Sequence, residues 1–304
     1  MSNTTGNGYW DPTAPTVATA LQSAAGAIRV AQNIFYVDTS MSGDTSVPAD
    51  IFHPDSMSIT EGETKPFIEI SSEFRLTNGQ AADASGTTGM TLATFAARSM
   101  ALVEDLLFFQ GQGVQLPPTV RIESGRASAG RGLFGLAHHE VHVNPPDRNP
   151  TNSGLEILAA VLEGISVLAN PRNLQPPKYA LILDNHAYAA VGGSAINGNP
   201  TMTVLGSLTA MLTEQIYETG ALPHYTGLLV SLGGDVGQQG GPTTIYVGSD
   251  VAAELTTRER DGLFLYRVFE RVQIVARDPR AYVKLNFEAY RRQPEAAQLR
   301  VAQP

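Results

Sequence analysis

The chain has no cysteine. That absence excludes disulfides, thiolate zinc centres, cysteine nucleophiles and cysteine-ligated iron–sulfur clusters together. Charge is scarce as well: Asp, Glu, Lys and Arg make up 16% of 304 residues, against about one quarter in an ordinary globular chain. A surface so poor in charge must be rich in uncharged polar groups or be covered by partners. No apolar run approaches the roughly 18 residues needed to cross a bilayer. The opening Met-Ser-Asn-Thr-Thr-Gly-Asn-Gly-Tyr-Trp has neither the basic nor the apolar region of a signal peptide. The expectation is a soluble protein with no membrane partner.

What is present points to one large or two modest domains. At 42% hydrophobic the chain can bury a sizeable core, and Gly 29 with Pro 19 implies many turns. The net charge of −9 argues against a free-standing nucleic-acid binder. That charge is uneven. Residues 1–120 carry four basic side chains (Arg29, Lys65, Arg75, Arg98) against twelve acidic ones, whereas 257–304 carry ten basic and six acidic. An acidic front and a basic back can attract each other between copies; an incidental surface gradient is the plainer reading.

Along the chain, residues 1–16 are polar and contain Gly and Pro, which predicts an arm without a core of its own. Trp10, the single tryptophan, sits there beside Tyr9 and needs something to dock on, in this chain or a neighbour. Val17, Leu21, Ala24, Ala25 and Ile28 outline a weak amphipathic helix. Residues 34–88 read as extended chain, with partial alternation at Ile68, Ile70, Phe74 and Leu76 between Pro- and Gly-bearing flanks. So long a stretch with few apolar residues predicts a projecting arm or loop that meets a partner. Residues 91–110 then predict a helix roughly 30 Å long, with Leu92, Phe95, Ser99, Leu102, Leu106 and Phe109 as its buried stripe and Gly111 as its stop.

A second helix is announced by Ser153-Gly-Leu-Glu156, a capping-box pattern. Its expected inner face is Leu155, Leu158, Val161, Leu162, Ile165 and Leu168, with Pro171 closing it. Residues 179–183 predict a buried strand, 186–191 a helical turn and 204–219 another amphipathic helix ended by Gly220. Short strands are expected at 227–232 and 243–247, and 263–276 with 281–287 read as a strand–turn–strand ending around Asp278-Pro279-Arg280. The fold class is α+β without a regular βαβ repeat.

Candidate chemistry is sparse. His138-His139-Glu140-Val141-His142 would put His138, Glu140 and His142 on one face of a strand. The spacing is not His-Glu-x-x-His and prolines follow at 145 and 146, so a polar loop is the simpler reading. A metal-dependent enzyme using this cluster stays as a remote alternative. Gly111-Gln-Gly113 follows a helix instead of opening one, and Gly233-Gly234 lacks the Lys-Ser/Thr of a phosphate loop. Glu104 and Asp105 point about 100° apart on a helix, which suits a helix surface or an interface salt bridge better than acid–base chemistry. No catalytic residue, metal or cofactor is assigned.

The order of elements nonetheless has a likeness. Phe74-x-Leu76, Ala96-Ala97-Arg98 and Val103-Glu-Asp-Leu-Leu-Phe-Phe-Gln-Gly111 resemble the spine helix of encapsulins and its approach. Gly132-Leu-Phe-Gly-Leu136 is similar to the step that follows it, and Tyr179-Ala-Leu-Ile-Leu183 with Asp278-Pro-Arg-Ala-Tyr-Val-Lys-Leu285 resembles the later strands. Over roughly residues 60–290 the chain resembles encapsulins and tailed-phage major capsid proteins of the Hong Kong 97-type capsid fold. The resemblance implies a division into 1–50 (N-terminal arm and short helix), 51–88 (extended β loop), 89–150 (peripheral domain with the spine helix), 151–262 (axial domain) and 263–304 (peripheral return strands and C-terminal tail).

It also implies partners: many copies of the chain, as pentamers and hexamers or pentamers only. Inter-subunit contact would fall to the arm and loop, through Trp10, Lys65, Ile68, Ile70, Phe74, Arg75 and Leu76. The spine core would be Leu92, Phe95, Leu102, Leu106 and Phe109. Encapsulins tend to begin with a cargo-contacting helix, and the polar Trp-bearing arm departs from that pattern. The expectation is therefore a phage shell protein enclosing double-stranded DNA in a virion capsid assembled in the host cytoplasm. Scaffold, portal or decoration proteins would be its further partners. An encapsulin in the bacterial cytoplasm, enclosing a cargo enzyme, is the alternative. Cross-linking, seen in part of that family, would need a lysine near an asparagine, and Lys65 is the only lysine of the loop region.

Overall fold

Strict alternation governs residues 263–272, where Phe264, Tyr266, Val268, Glu270 and Val272 turn inward and the residues between them stay half-exposed. A period of two places one set of side chains on one face of a sheet. In the computed structural model, which describes residues 8–53, 58–145, 154–169, 178–196, 199–212, 215–233, 241–259 and 261–291, this strand lies at the centre of a five-stranded sheet. The chain divides into two compact units: 1–51, 59–132 and 244–275 form the first, and 52–58, 133–243 and 276–304 the second.

In the first unit the sheet order is Tyr36–Asp38, Thr243–Arg258, Leu263–Ala276, Ile68–Thr77, Arg121–Ser124. Ile68–Thr77 runs antiparallel to Leu263–Ala276 from Val272↔Ile68 to Leu263↔Thr77, and its other edge takes Arg121–Ser124. Part of the expected 51–88 loop is instead sheet. Residues 68–77 are an internal strand with Ile68, Ile70 and Leu76 fully buried, because the partner that completes their face comes from nearly 200 positions later.

The long helix spans Thr87–Gln110 and stops at Gly111, whose amide bonds Leu107 O. A Cβ at Gly111 would lie 2.4 Å from Gly130 O, and φ there is +83°, so only glycine fits this approach. Its buried side is Ala93, Ala96, Ala97, Met100, Ala101, Val103, Glu104, Leu107, Phe108 and Phe109. Of the expected stripe only Phe109 is buried; Leu92, Leu102 and Leu106 are half-buried and Phe95 is 62% exposed. The small-residue face turns inward because the helix Pro15–Gly26, with Val17, Leu21, Ala24 and Ala25 buried, packs closely along it. Alanines permit that approach where leucines would hold the helices apart.

The second unit has a sheet of order Ile216–Thr219, Tyr179–Asp184, Thr226–Ser231, Tyr282–Asn286, His139–His142. The outer pairings are parallel and the inner ones antiparallel. Helices Leu155–Leu168, Asn185–Gly193 and Val204–Met211 complete an apolar core that includes Ile157, Val161, Leu181, Leu229, Val283 and Leu285. The Leu155–Leu168 helix buries Ile157, Ala160, Val161, Gly164 and Leu168, while Leu155 and Leu162 face out. Its N-cap is Gly154 in a left-handed conformation without a side-chain cap; Ser153 and Pro171 lie outside the described residues. The helix expected over 204–219 ends at Met211, and Ile216–Thr219 becomes an edge strand beside Tyr179–Asp184. His139–His142 is likewise an edge strand, not a loop.

Candidate assembly surface

A surface built for joining copies needs chain that projects, apolar area left open and a rigid base. Ser46–Pro48 and Thr64–Pro66 pair antiparallel as an isolated ribbon. Its root is fixed by Val47, Ala49 and Phe67, which bury against Tyr246 and Val275, and by the Ala49 amide donating to Glu63 O at 2.8 Å. Arg271 adds a hydrogen bond from Nη2 to Asp44 O and lies over the Phe67 ring. Farther out, Ser58–Thr60 is exposed, and Ile59 is open to 56%. A two-stranded ribbon has two strand edges, each a template on which another chain can pair. Lys65 is half-buried in this ribbon, and burial pulls its ammonium below the usual lysine range against the opposing pull of Glu63.

The other residues expected at subunit contacts separate into two groups. Trp10 is buried, edge-on to Tyr266 and near Phe74, and its amide donates to Ala81 O at 2.6 Å. A Cβ at Gly89 would stand 2.6 Å from the indole, so the arm docks on its own chain through a glycine notch in the long helix. Trp10, Ile68, Ile70 and Leu76 thus serve this chain's interior. Lys65, Phe74 and Arg75 keep exposure, Phe74 stacked on Tyr266 and Arg75 lying 3.5 Å from Glu259. The outer face of the long helix, with Phe95 at its most open point, is the apolar area that the alternation of side chains left uncovered.

Glu104 and Asp105, expected on a helix surface or in an interface salt bridge, lie in the interior instead. Arg29 and Glu270 are buried as well. Arg29 Nε meets Glu104 Oε2 at 2.7 Å, Nη1 meets Asp250 Oδ1 at 3.1 Å, and Nη2 pairs with Glu270. Gln32 donates to Glu104 at 2.7 Å, and Asp105 accepts the Val30 and Ala31 amides at 2.7 and 3.0 Å. Burial pushes the Asp105 carboxyl up to about 7, with the Glu104 charge adding to it. Burial and then Glu104 likewise raise Glu270 to about 8, and burial raises Glu104 against the pull of Arg29. Burial alone would lower the Arg29 pKa, but the surrounding carboxylates raise it. Adjacent helix residues can both be buried here because Asp105 faces the 30–31 turn while Glu104 faces Arg29. One guanidinium thus ties the turn after the first helix, the long helix and the central sheet.

Of the expected cluster, His142 Nε2 lies 3.8 Å from Glu140 Oε1, but no third ligand atom joins them among the described residues. His138, His139, Glu140 and His142 are exposed, and Glu140 accepts from Asn286 at 2.9 Å. Among the described residues, the three side chains that bring ligand atoms together are Asp184, His186 and His224. Sequence spacing could not find them, since 38 positions separate the two histidines.

These features — an anchored ribbon arm, a long helix on a twisted sheet and a second mixed α/β unit — define a shell protein of the Hong Kong 97-type capsid fold. The likeness to solved structures has that character. A virus-like particle from Pyrococcus furiosus aligns with TM-score 0.62 at 16% identity over 89% of this chain and 98% of the other. A phage-related protein from Bordetella bronchiseptica gives 0.56 at 14% over 91% and 98%. The holo-SrpI encapsulin complex from Synechococcus elongatus gives 0.50 at 10% over 84% and 85%. The family model described as "Encapsulating protein for peroxidase" matches residues 37–272, and the chain belongs to that family. No curated protein matches it.

Proposed function

We propose that the chain is a non-enzymatic subunit of a closed icosahedral shell of the encapsulin kind, enclosing a protein cargo. The family match over 37–272 carries this reading, and the family's description makes a peroxidase the first cargo to seek. The ribbon arm supports it physically: its root is rigid, and its outer strands can be completed by a neighbouring copy. Assembly would take place in the cytoplasm of the producing cell.

A second reading, a phage major capsid protein around double-stranded DNA, is favoured by structural likeness to the capsid of the Myoviridae phage XM1. Scaffold, portal and decoration partners belong to that reading. Native mass measurement and absorbance at 260 and 280 nm separate the possibilities. Megadalton particles carrying a second protein and little nucleic acid are expected; DNA-filled particles would favour the phage reading. A stable monomer under assembly conditions would overturn both. Replacing residues 50–62 by a short Gly-Ser turn should abolish particles while leaving folded subunits, since the anchored root and the strand from Ile68 onward remain.

A further inference from the structure

Asp184 ends the strand Tyr179–Asp184 and caps the helix Asn185–Gly193. Its carboxylate is buried, and no lysine or arginine among the described residues lies within 4 Å of it. A buried carboxylate is ordinarily matched by a cation or by a full set of donors. Oδ1 has such donors, the amides of Ala187 at 2.9 Å and Thr226 at 3.2 Å. Oδ2 has only the long contact from the His186 amide at 3.2 Å, and it faces His224 Nδ1 at 3.8 Å. Oδ2 thereby keeps spare acceptor capacity beside His224 Nδ1.

The imidazoles are held in place. His186 stacks on Tyr225 with ring centroids 4.8 Å apart and meets the His224 ring edge-on at 5.0 Å. Tyr225 is the one non-glycine residue with positive φ, at 58°, among the described residues. That turn sends His224 back toward Asp184 while bringing Thr226 N onto the same carboxylate. One ligand atom from each of Asp184, His186 and His224 lies within 4.8 Å of the others.

We propose that Asp184, His186 and His224 bind one divalent first-row transition-metal ion, with Zn²⁺ as the type. Two imidazole nitrogens and a carboxylate oxygen suit Zn²⁺, Co²⁺, Ni²⁺ and Cu²⁺, whereas a harder Mg²⁺ or Ca²⁺ would want oxygen donors throughout. Metal bonds of about 2.0–2.2 Å set tetrahedral ligand atoms roughly 3.3 Å apart, so separations of 3.8 Å up to 4.8 Å must close by about 0.5 to 1.5 Å. His224 is 82% exposed and His186 is exposed, and side-chain rotation supplies that movement. The fourth position opens to solvent and takes water. The positive end of the Asn185–Gly193 helix opposes a cation, but the Asp184 charge lies between that end and the ion. Binding would tie the 224–226 turn to the helix start, and the site stands independently of which shell reading is correct.

Titrating the full-length protein with Co²⁺, followed by visible absorption, and with Zn²⁺, followed by calorimetry, tests the site. One equivalent per chain is expected. His224→Ala and His186→Ala should each weaken binding by at least about tenfold. Asp184→Asn should do the same while keeping a good helix cap, since Asn caps as well as Asp. Exposure of His224 means that its substitution leaves the fold intact, which circular dichroism checks. Unchanged affinity in His224→Ala, or loss of binding in His139→Ala/His142→Ala instead, would overturn the proposal, as would no binding to the parent protein.

Discussion

In the unit built around the long helix, Arg29, Glu104, Asp105 and Glu270 share the interior with Trp10, Leu21 and Met100. In the other unit the buried polar side chains among the described residues are neutral ones such as Thr219, Ser231 and Thr243, apart from Asp184, which lies at the end of a strand where backbone amides receive its carboxylate. The two interiors therefore depend on different balances. The second is stabilised by volume and area removed from water. The first needs its charges to cancel in a medium that screens them poorly, so losing one partner leaves an uncompensated ion. Registry is the benefit that fits the geometry: Arg29 meets groups from three elements, and a shifted helix would break several contacts at once.

Arg29→Met tests this contrast most severely. It leaves Glu104 and Glu270 without their cation and should destabilise the dissociated subunit by about 3–5 kcal/mol in urea unfolding. Leu229→Ala, its counterpart in the apolar core, should cost about 2–4 kcal/mol. Raising the pH should widen the gap, whereas lowering it should narrow the gap by protonating the stranded carboxylates. An Arg29→Met cost below that of Leu229→Ala at pH 8 would break the comparison.

The next effect is in the pH profile. Glu270 and Asp105 sit at about 8 and about 7 in the folded chain, above ordinary values of 4.5 and 3.8. The folded state then holds protons that the unfolded chain has released. These groups make stability fall as pH rises from about 4 to about 8, with no further change beyond. Glu270→Gln should flatten that slope, most visibly between pH 7 and 8, where Asp105 has already ionised. An unaltered slope in thermal melts at stepped pH would remove Glu270 from the account.

Phe95→Asp should have the smallest effect on the subunit, within about 0.5 kcal/mol of the parent, because the side chain lies on the open face. Its effect on assembly should be large if that face is covered by another copy. Particle yield by size-exclusion chromatography reads the one, and urea unfolding of the subunit reads the other. Full yield from Phe95→Asp would show that the outer helix face takes no part in the shell.

The legible parts of the molecule were those whose signal is local. Gly111 marked the end of the long helix because its close approach to Gly130 tolerates no side chain. Alternation at Ile68, Ile70 and Leu76 identified a strand. Its place inside the sheet was hidden, because its partner begins at Leu263. The long helix was assigned the wrong face, and the Leu155–Leu168 helix a face of which Val161 and Leu168 are buried while Leu155 and Leu162 look out, for one reason. Large apolar residues at 3–4 spacing were read as the core stripe, yet in each helix the alanine- and glycine-bearing side packs inward and Phe95 or Leu162 looks out. In a shell-forming protein, hydrophobicity marks both the subunit's core and its unmet interfaces, and periodicity does not distinguish them.

The sequence by itself determined where the long helix and most other helices and strands form, that neither disulfides nor cysteine chemistry occur, and the order of elements that places the chain among shell proteins. These depend on torsional preference, residue chemistry and period, which act over a few neighbours. Tertiary structure alone decided that Glu104 and Asp105 are interior groups around Arg29, that Trp10 docks on Gly89 of its own chain, and that Asp184, His186 and His224 converge. Each of those requires side chains far apart in sequence to meet in a low-dielectric or sterically exact setting, and no local pattern encodes the meeting.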